Sequence, residues 1–326
     1  MKLLVTGGAG YIGSHVSLQL AEDGHEVVVL DNLSTGHAYA VIGAELVVGD
    51  LADGALLDAL FNRHQFDAVL HFAASIIVPE SVADPLKYYI NNTANMLNLL
   101  ARVEQYDTPH FVFSSTAAVY GMPEVEEIDE TAPPAPINPY GSSKLMDERI
   151  LADLAKARSA LNYVALRYFN VAGADPQARI GQDTPVSTHL IKIACEVALG
   201  KRDAMDMYGS DYPTPDGTCI RDYIHVEDLA RAHVDALNYL ANDGKNATLN
   251  CGYGHGASVR EVLEVVKKVS GVDFPVREAA RRDGDPPQLV AANARIRKTL
   301  NWQARLDNLE TIVAHAWAWE QRLSSR

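Results

Sequence analysis

Lys2-Leu3-Leu4-Val5-Thr6-Gly7-Gly8-Ala9-Gly10-Tyr11-Ile12-Gly13 is an apolar run, a glycine-dense turn and the start of a helical pattern reaching about Asp23. The run has no hydrophobic alternation, as expected of a strand buried on both faces of a parallel sheet. Its glycines satisfy GxGxxG at Gly8, Gly10 and Gly13, and the looser GxxGxxG at Gly7, Gly10 and Gly13. Glycines so placed permit a tight turn and a close backbone approach to a pyrophosphate, with the helix N-terminus aimed at the anion. A flexible turn also carries glycines. The strand before and the helix after are the context that the binding motif requires.

Working outward, a second strand over 26–30 ends at Asp31, 18 residues past Gly13. A carboxylate there accepts hydrogen bonds from a ribose 2′-OH and repels a 2′-phosphate, which favours NAD over NADP. A third strand over 45–48 leads to Gly49-Asp50-Leu51. Asp50 suits an adenine amine, or equally the N-cap of a helix starting near Ala52. A fourth strand, 67–71, ends at His71, which reads as a packed strand-end histidine. Phe72-Ala73-Ala74 follows, small residues that leave room for a cofactor across the strand ends. The helical pattern over 85–105 contains Asn91 and Asn92, unfavourable inside a helix, so one of them is expected to face a ligand or a neighbouring loop. A fifth strand over 111–116 runs into Ser114-Ser115-Thr116, hydroxyls that either cap the strand end or, for Thr116, hold a substrate oxygen. Five strand-helix alternations behind a glycine turn predict the α/β class, a Rossmann-type doubly wound parallel sheet with its ligands at the carboxyl ends of the strands.

Pro133, Pro134, Pro136 and Pro139 then deliver the chain to Tyr140-Gly141-Ser142-Ser143-Lys144. Tyr140 and Lys144 are four residues apart and share a face of a helix. A neighbouring ammonium favours phenolate and lowers a tyrosine pKa from about 10. Such a tyrosine serves as general acid or base near neutrality. Alone, the pair fits any surface helix. The glycine turn, Asp31, Ala73 and Thr116, all at the same strand ends, set it apart.

From Leu161 another apolar strand ends at Arg167-Tyr168-Phe169-Asn170, after which the alternation becomes irregular. Helices are predicted over 190–199, 226–240 and 259–269. The expected organisation is a cofactor-binding unit over 1–175 and a smaller mixed α/β substrate unit over 176–326, interleaved across a soft boundary. Arg221 and Arg282 lie beside turn-like residues and suit bidentate binding of a phosphate. Salt bridges to the adjacent Asp222 and Asp283 fit the same spacing.

The 326 residues have an ordinary globular composition and a formal net charge of −14, which argues against nucleic-acid and anionic-membrane partners. Cys195, Cys219 and Cys251 are odd in number and form no CxxC pair, which predicts free thiols in a reducing compartment. Met1-Lys2 runs straight into the first strand without a signal-like pattern, and no apolar run reaches the roughly 20 residues of a membrane span. A cytoplasmic protein without a metal site is the expectation.

Taken together, the glycine turn, Tyr140 with Lys144, Arg167-Tyr168-Phe169-Asn170, Asp211-Tyr212-Pro213-Thr214, Arg221-Asp222-Tyr223-Ile224-His225 and the stretch 281–285 resemble the extended short-chain dehydrogenase/reductase family, specifically its nucleotide-sugar 4-epimerases. The match runs nearly end to end. It implies interconversion of UDP-galactose and UDP-glucose through a 4-keto sugar, with tightly bound NAD taking and returning hydride at C4. In that reading Tyr140 is the base on the 4-hydroxyl, Thr116 its helper, and Lys144 the ribose ligand that lowers the Tyr140 pKa. The resemblance also implies NAD contacts from Gly7, Gly10, Tyr11, Ile12, Gly13, Asp31, Asn32, Asp50, Leu51, Phe72, Ala73, Ala74, Asn91, Ser114, Tyr140, Lys144 and Phe169. UDP-sugar contacts would come from Thr116, Asn170, His189, Leu190, Tyr208, Arg221, Arg282, Asp285 and Leu289, with Tyr208 flanking the uracil. His189 stands where a bacterial member has Asn, and Ile76 where it has a cofactor-proximal Lys.

Two features bear on activity. Related dehydratases carry Asp-Glu after the Thr116 position, and decarboxylases a Glu in the same stretch; here Ala117-Ala118-Val119-Tyr120 follows. Leu289 occupies the place of a Tyr in a member with narrow specificity, which implies room for the N-acetyl group of UDP-GlcNAc or UDP-GalNAc. The alternatives are another NAD-dependent nucleotide-sugar enzyme (UDP-GlcNAc 4-epimerase, dehydratase or decarboxylase) and a non-catalytic NAD-binding regulator, whose relatives typically lose the Tyr-Lys pair. The family's usual homodimer would pair the segments 85–105 and 140–157.

Overall fold

The computed structural model describes residues 1–325 apart from Glu124, Glu126 and Asp283. The first half runs β1 (Lys2–Thr6), α1 (Tyr11–Glu22), β2 (Glu26–Asp31), β3 (Glu45–Val48), α2 (Gly54–His64) and β4 (Ala68–His71). It continues α3 (Val78–Ala83), α4 (Pro85–Tyr88), α5 (Asn95–Gln105), β5 (His110–Thr116), β6 (Glu127–Ile128), α6 (Pro139–Ala157) and β7 (Asn162–Tyr168). The second half begins β8 (Asn170–Ala172), α7 (Leu190–Ala198), β9 (Met205–Tyr208), β10 (Ile220–Arg221), β11 (Tyr223–His225), α8 (Val226–Ala241) and β12 (Ala247–Cys251). It ends β13 (Ala257–Ser258), α9 (Val259–Ser270), β14 (Val276–Ala279), β15 (Gln288–Ala291), α10 (Ala294–Leu300) and α11 (Leu309–Ser324).

A seven-stranded sheet in the order β3-β2-β1-β4-β5-β7-β12 is parallel throughout. Its strands are apolar because both faces are covered. Leu3 and Val5 pack into one cluster with α1 and α8 residues such as Val16 and Leu237, while Leu4 packs into the other with Leu57, Leu99 and Leu151 from α2, α5 and α6. Strand order reverses between β1 and β4, and the crevice at that switch point opens at the carboxyl ends. The expected doubly wound sheet is present.

Several elements cross the boundary expected near residue 175, β12 and β6 among them. β12 forms the edge of the large sheet beside β7. β6 joins a four-stranded sheet of second-half strands, in the order β13-β10-β15-β6. The single helix expected over 85–105 is instead α4, a π-helical turn over Tyr89–Ala94, and α5. The physical reason lies in Asn92. Its buried amide accepts from Ser75 N (2.8 Å) and donates to Ser75 O (3.1 Å) and Ser143 Oγ (3.0 Å), tying helix to loop where the ladder widens. Asp50 is likewise not a helix cap. Asp53 caps α2, accepting from Leu56 N at 3.0 Å.

Candidate functional site: a cofactor cradle, a buried tyrosine and an arginine clamp

The glycine turn is shaped by close approaches. Gly7 has φ +72°, and a Cβ on it would lie 2.5 Å from Ala73 N. A Cβ on Gly13 would lie 2.3 Å from Gly7 O, so helix and turn meet only because glycine stands there. Gly8 is packed instead, its side facing Val29. A Cβ on Gly10 meets only Gly7 O within 4 Å, at 3.3 Å, so this face of the turn is open. Gly10 is also the N-cap of α1 and offers no side-chain acceptor, so the first-turn N–H groups, with Tyr11, Ile12 and Gly13, face outward unclaimed by a cap. An anion fits there.

Asp31 ends β2 with its carboxylate accepting from Ala9 N (2.9 Å) and Leu33 N (2.8 Å). It therefore braces the glycine turn. Asn32 donates to Asp50 at 2.7 Å, and Asp50 also accepts from Ala52 N at 2.8 Å, while Leu51 is buried. Phe72 N donates to Thr6 O, which sets Ala73 and Ala74 at the mouth of β4. Asn91 donates to Ser75 Oγ at 3.1 Å. His71 is the packed histidine expected: it is buried against Thr6 Oγ1 at 2.6 Å, and burial pulls its pKa down to about 3.

Tyr140 sits in the first turn of α6, which starts because Asn138 accepts from Gly141 N at 2.8 Å and Pro139 takes the N1 place. The Tyr140 ring is buried, with the Thr116 hydroxyl acting on its phenol. Burial raises its pKa, and the Thr116 hydroxyl opposes that rise. Thr116 ends β5 and also accepts from Ala118 N at 3.1 Å, so it caps the following turn while it touches the tyrosine. Lys144 is buried, donates to Ser114 O at 2.9 Å and lies 4.8 Å above the Phe113 ring. Desolvation draws its pKa down to about 8, with Asp147 and Glu148 pushing back. The expected lowering of the Tyr140 pKa by Lys144 is not found; the ammonium turns to the Ser114 carbonyl, and Thr116 is the group that lowers it.

Behind this pair, Glu148 receives Arg167 Nε at 2.9 Å and Arg167 Nη2 at 2.5 Å, both side chains buried. Sequence reasoning missed Glu148, although its i+4 spacing from Lys144 was visible. Arg167 thus serves as a strut under the strand ends.

The second half supplies the charged groups. Asp285 joins two guanidiniums, Arg221 Nη2 at 2.8 Å and Arg282 at 3.0 and 2.8 Å, and Arg282 lies 5.0 Å over the Tyr208 ring. The adjacent-residue salt bridges fail for Arg221. Asp222 is occupied by the N–H groups of Tyr253, Gly254 and Ala291, and Asp283 lies outside the described residues. Strand register sets Leu289 beside Arg221. Leu289 and Phe169 pack on the cluster of Ala117, Val119, Tyr120, Ile128 and Leu145, next to the Thr116 turn. His189, at the N-cap of α7, pairs through Nδ1 with the Gln182 amide, a partner that the spacing did not reveal. Asn170, His189 and Leu190 share a cavity with Tyr11 and Gly173, so residues of β8 and α7 meet the start of α1. Ile76 is exposed and brings no charge to that mouth.

Residues 3–252 match the NAD dependent epimerase/dehydratase family. This chain belongs to that family. Family membership is reinforced by curated relatives along nearly the whole length. The chain is 56% identical to the UDP-glucose 4-epimerase of Azospirillum brasilense, over 99% of this chain and 92% of that one. Among solved structures it is similar to the UDP-glucose 4-epimerase of Brucella ovis in complex with NAD, with TM-score 0.95 and 47% identity over 97% of each chain. It is also similar to the UDP-Glc/GlcNAc 4-epimerase of Campylobacter jejuni, with TM-score 0.88 and 50% identity over 98% of this chain and 99% of that one. Among the described residues, no helix is long and apolar enough to cross a membrane, and no group of three His, Cys, Asp or Glu side chains could hold a metal.

Proposed function

We propose that this chain interconverts UDP-glucose and UDP-galactose by transient oxidation at C4, an isomerase reaction with NAD as its resident cofactor. The observation that carries the reading is the buried Tyr140 facing Thr116, with Ala117-Ala118 next in the chain. A hydroxyl pair without a following acid serves oxidation at a carbinol carbon and lacks the second acid that elimination or decarboxylation needs. The full-length likeness to UDP-glucose 4-epimerases supports the same conclusion.

NAD fits the glycine cradle on the geometry of Gly7, Gly10 and Gly13, with Asp31 at the ribose position and Asn32, Asp50, Leu51, Phe72, Ala73, Ala74, Asn91, Ser114 and Phe169 along the strand ends. When bound, it supplies a hydride acceptor and donor at the sugar. Tyr140 removes and returns the O4 proton, and Thr116 holds the same oxygen. Lys144 keeps a positive charge beside them. Arg221 and Arg282, held by Asp285, bind the diphosphate, Tyr208 covers the base, and Asn170, His189 and Leu190 line the path between. Firm binding of the diphosphate leaves the hexose free to present either face.

Residue 175 is proposed as the approximate limit between cofactor and substrate units. A homodimer is proposed through α3 to α6, where Val82, Leu86, Ile90, Leu97 and Met146 are 63, 68, 61, 49 and 43% exposed. Three buried free thiols support a reducing, cytoplasmic setting. Leu289, beside Arg221 and smaller than tyrosine, supports added turnover of UDP-N-acetylglucosamine. No conversion of that sugar at high enzyme concentration removes this extension.

The test is to identify nucleotide released from the purified protein and to incubate the protein with UDP-galactose without added cofactor. Bound NAD with UDP-glucose formed is the expected result. Bound NAD with an unchanged sugar returns the chain to another nucleotide-sugar reaction or a regulator.

A further inference from the structure

Asp147 is 1% exposed, and neither of its carboxylate oxygens has a hydrogen-bond partner at bonding distance. A buried carboxylate without partners is costly and calls for an explanation. The next residue shows the ordinary solution: Glu148 is paired with Arg167. Thr93, facing Asp147 from the π-helical turn, has its hydroxyl turned to Ser143 O at 3.4 Å and, after Lys144, lowers the pKa of the carboxylate. The cation that acts on Asp147 is Lys144, one turn earlier on the same helix.

Among the other groups around Lys144, Glu148 also raises its pKa but is committed to Arg167. His71 of β4 is held neutral by burial. From β5 come the Phe113 ring and the Ser114 carbonyl. Arg167 of β7 is committed to Glu148, and Tyr88 of α4 bonds Glu80 and Ile77 while its ring meets Tyr140 edge-on.

We infer that Asp147 is a positioning residue that acts through Lys144, its carboxylate keeping the lysine protonated in a seat that otherwise expels charge. The inference rests on the proposal that Lys144 works beside Tyr140. Burial draws Lys144 down to about 8, and Asp147 is the first of the groups raising it again. Burial lifts Asp147 to about 6. Both groups are charged between these values. Below that window Lys144 stays protonated without help, so the contribution of Asp147 shows on the alkaline side.

The test compares the native holoenzyme with Asp147→Asn and Asp147→Glu. One readout is the pH dependence of Lys144 acylation by acetic anhydride, measured by mass spectrometry, and the other is the alkaline limb of turnover. In Asp147→Asn both midpoints should fall by about one pH unit, and Asp147→Glu should restore them. An unmoved acylation midpoint overturns the inference, even where turnover drops. If Asp147→Asn does not fold, Asp147→Thr removes the charge while giving Thr93 a hydroxyl to meet. Acylation needs no turnover, so a native protein inactive on UDP-galactose defeats the epimerase reading separately.

Discussion

The tyrosine end and the arginine end of the cleft solve the same problem, placing polar groups, in opposite surroundings. Tyr140 and Lys144 are 8 and 2% exposed; Thr116 of β5 faces the tyrosine, and Lys144 donates to the Ser114 carbonyl of the same strand. The Arg282 side chain is 56% exposed and that of Asp285 20%, and they hold each other at the surface. Low dielectric makes every charge at the buried end act strongly, whereas solvent and salt screen the clamp. The buried end should therefore govern rate and pH dependence, and the clamp should govern affinity.

That contrast is broken most severely at the tyrosine. Tyr140→Phe should lower kcat about 10³-fold with little change in KM, measured by steady-state conversion of UDP-galactose. Retained full turnover would remove Tyr140 from the chemistry. Next in size is the strut: Glu148→Ala leaves Arg167 charged and unpaired, and should cost about 3 kcal/mol in urea unfolding. At the exposed end, Asp285→Asn releases both guanidiniums from their common anchor. It should raise KM about tenfold with kcat nearly constant, and KM should also rise with salt.

The smallest effect concerns pH. The Lys144 pKa is lowered from 10.5 to about 8 in the folded chain. Between those values the unfolded chain binds the extra proton, so this group's contribution to stability rises with pH. Activity that depends, as proposed, on the charged lysine should fall over the same range. A plot of Tm against pH should therefore rise more steeply for the native protein than for Lys144→Met above pH 8, while native turnover declines.

How much of this was legible depends on distance along the chain. The glycine turn could be read because strand, turn and helix lie within a dozen residues and because the clash at Gly13 is local. Tyr140, Lys144 and Thr116 could be read as a group because ligands in a doubly wound sheet gather at its carboxyl edge. The π-helical turn could not, since Asn92 is held by Ser75 and Ser143, 17 and 51 residues away. Nor could the partner of Arg221, since Asp285 is 64 residues distant and Asp222 is the nearer candidate.

The amino-acid sequence by itself determined the sheet and the glycine turn and put forward the side chains proposed to react, because each follows from periodicity, spacing or backbone sterics over a short span. The tertiary structure alone decided how those side chains are tuned. Whether Lys144 acts on Tyr140 or turns to Ser114, which carboxylate clamps the arginines, and which acid is buried without a partner all depend on desolvation and on contacts between remote segments. Residue spacing carries no record of either.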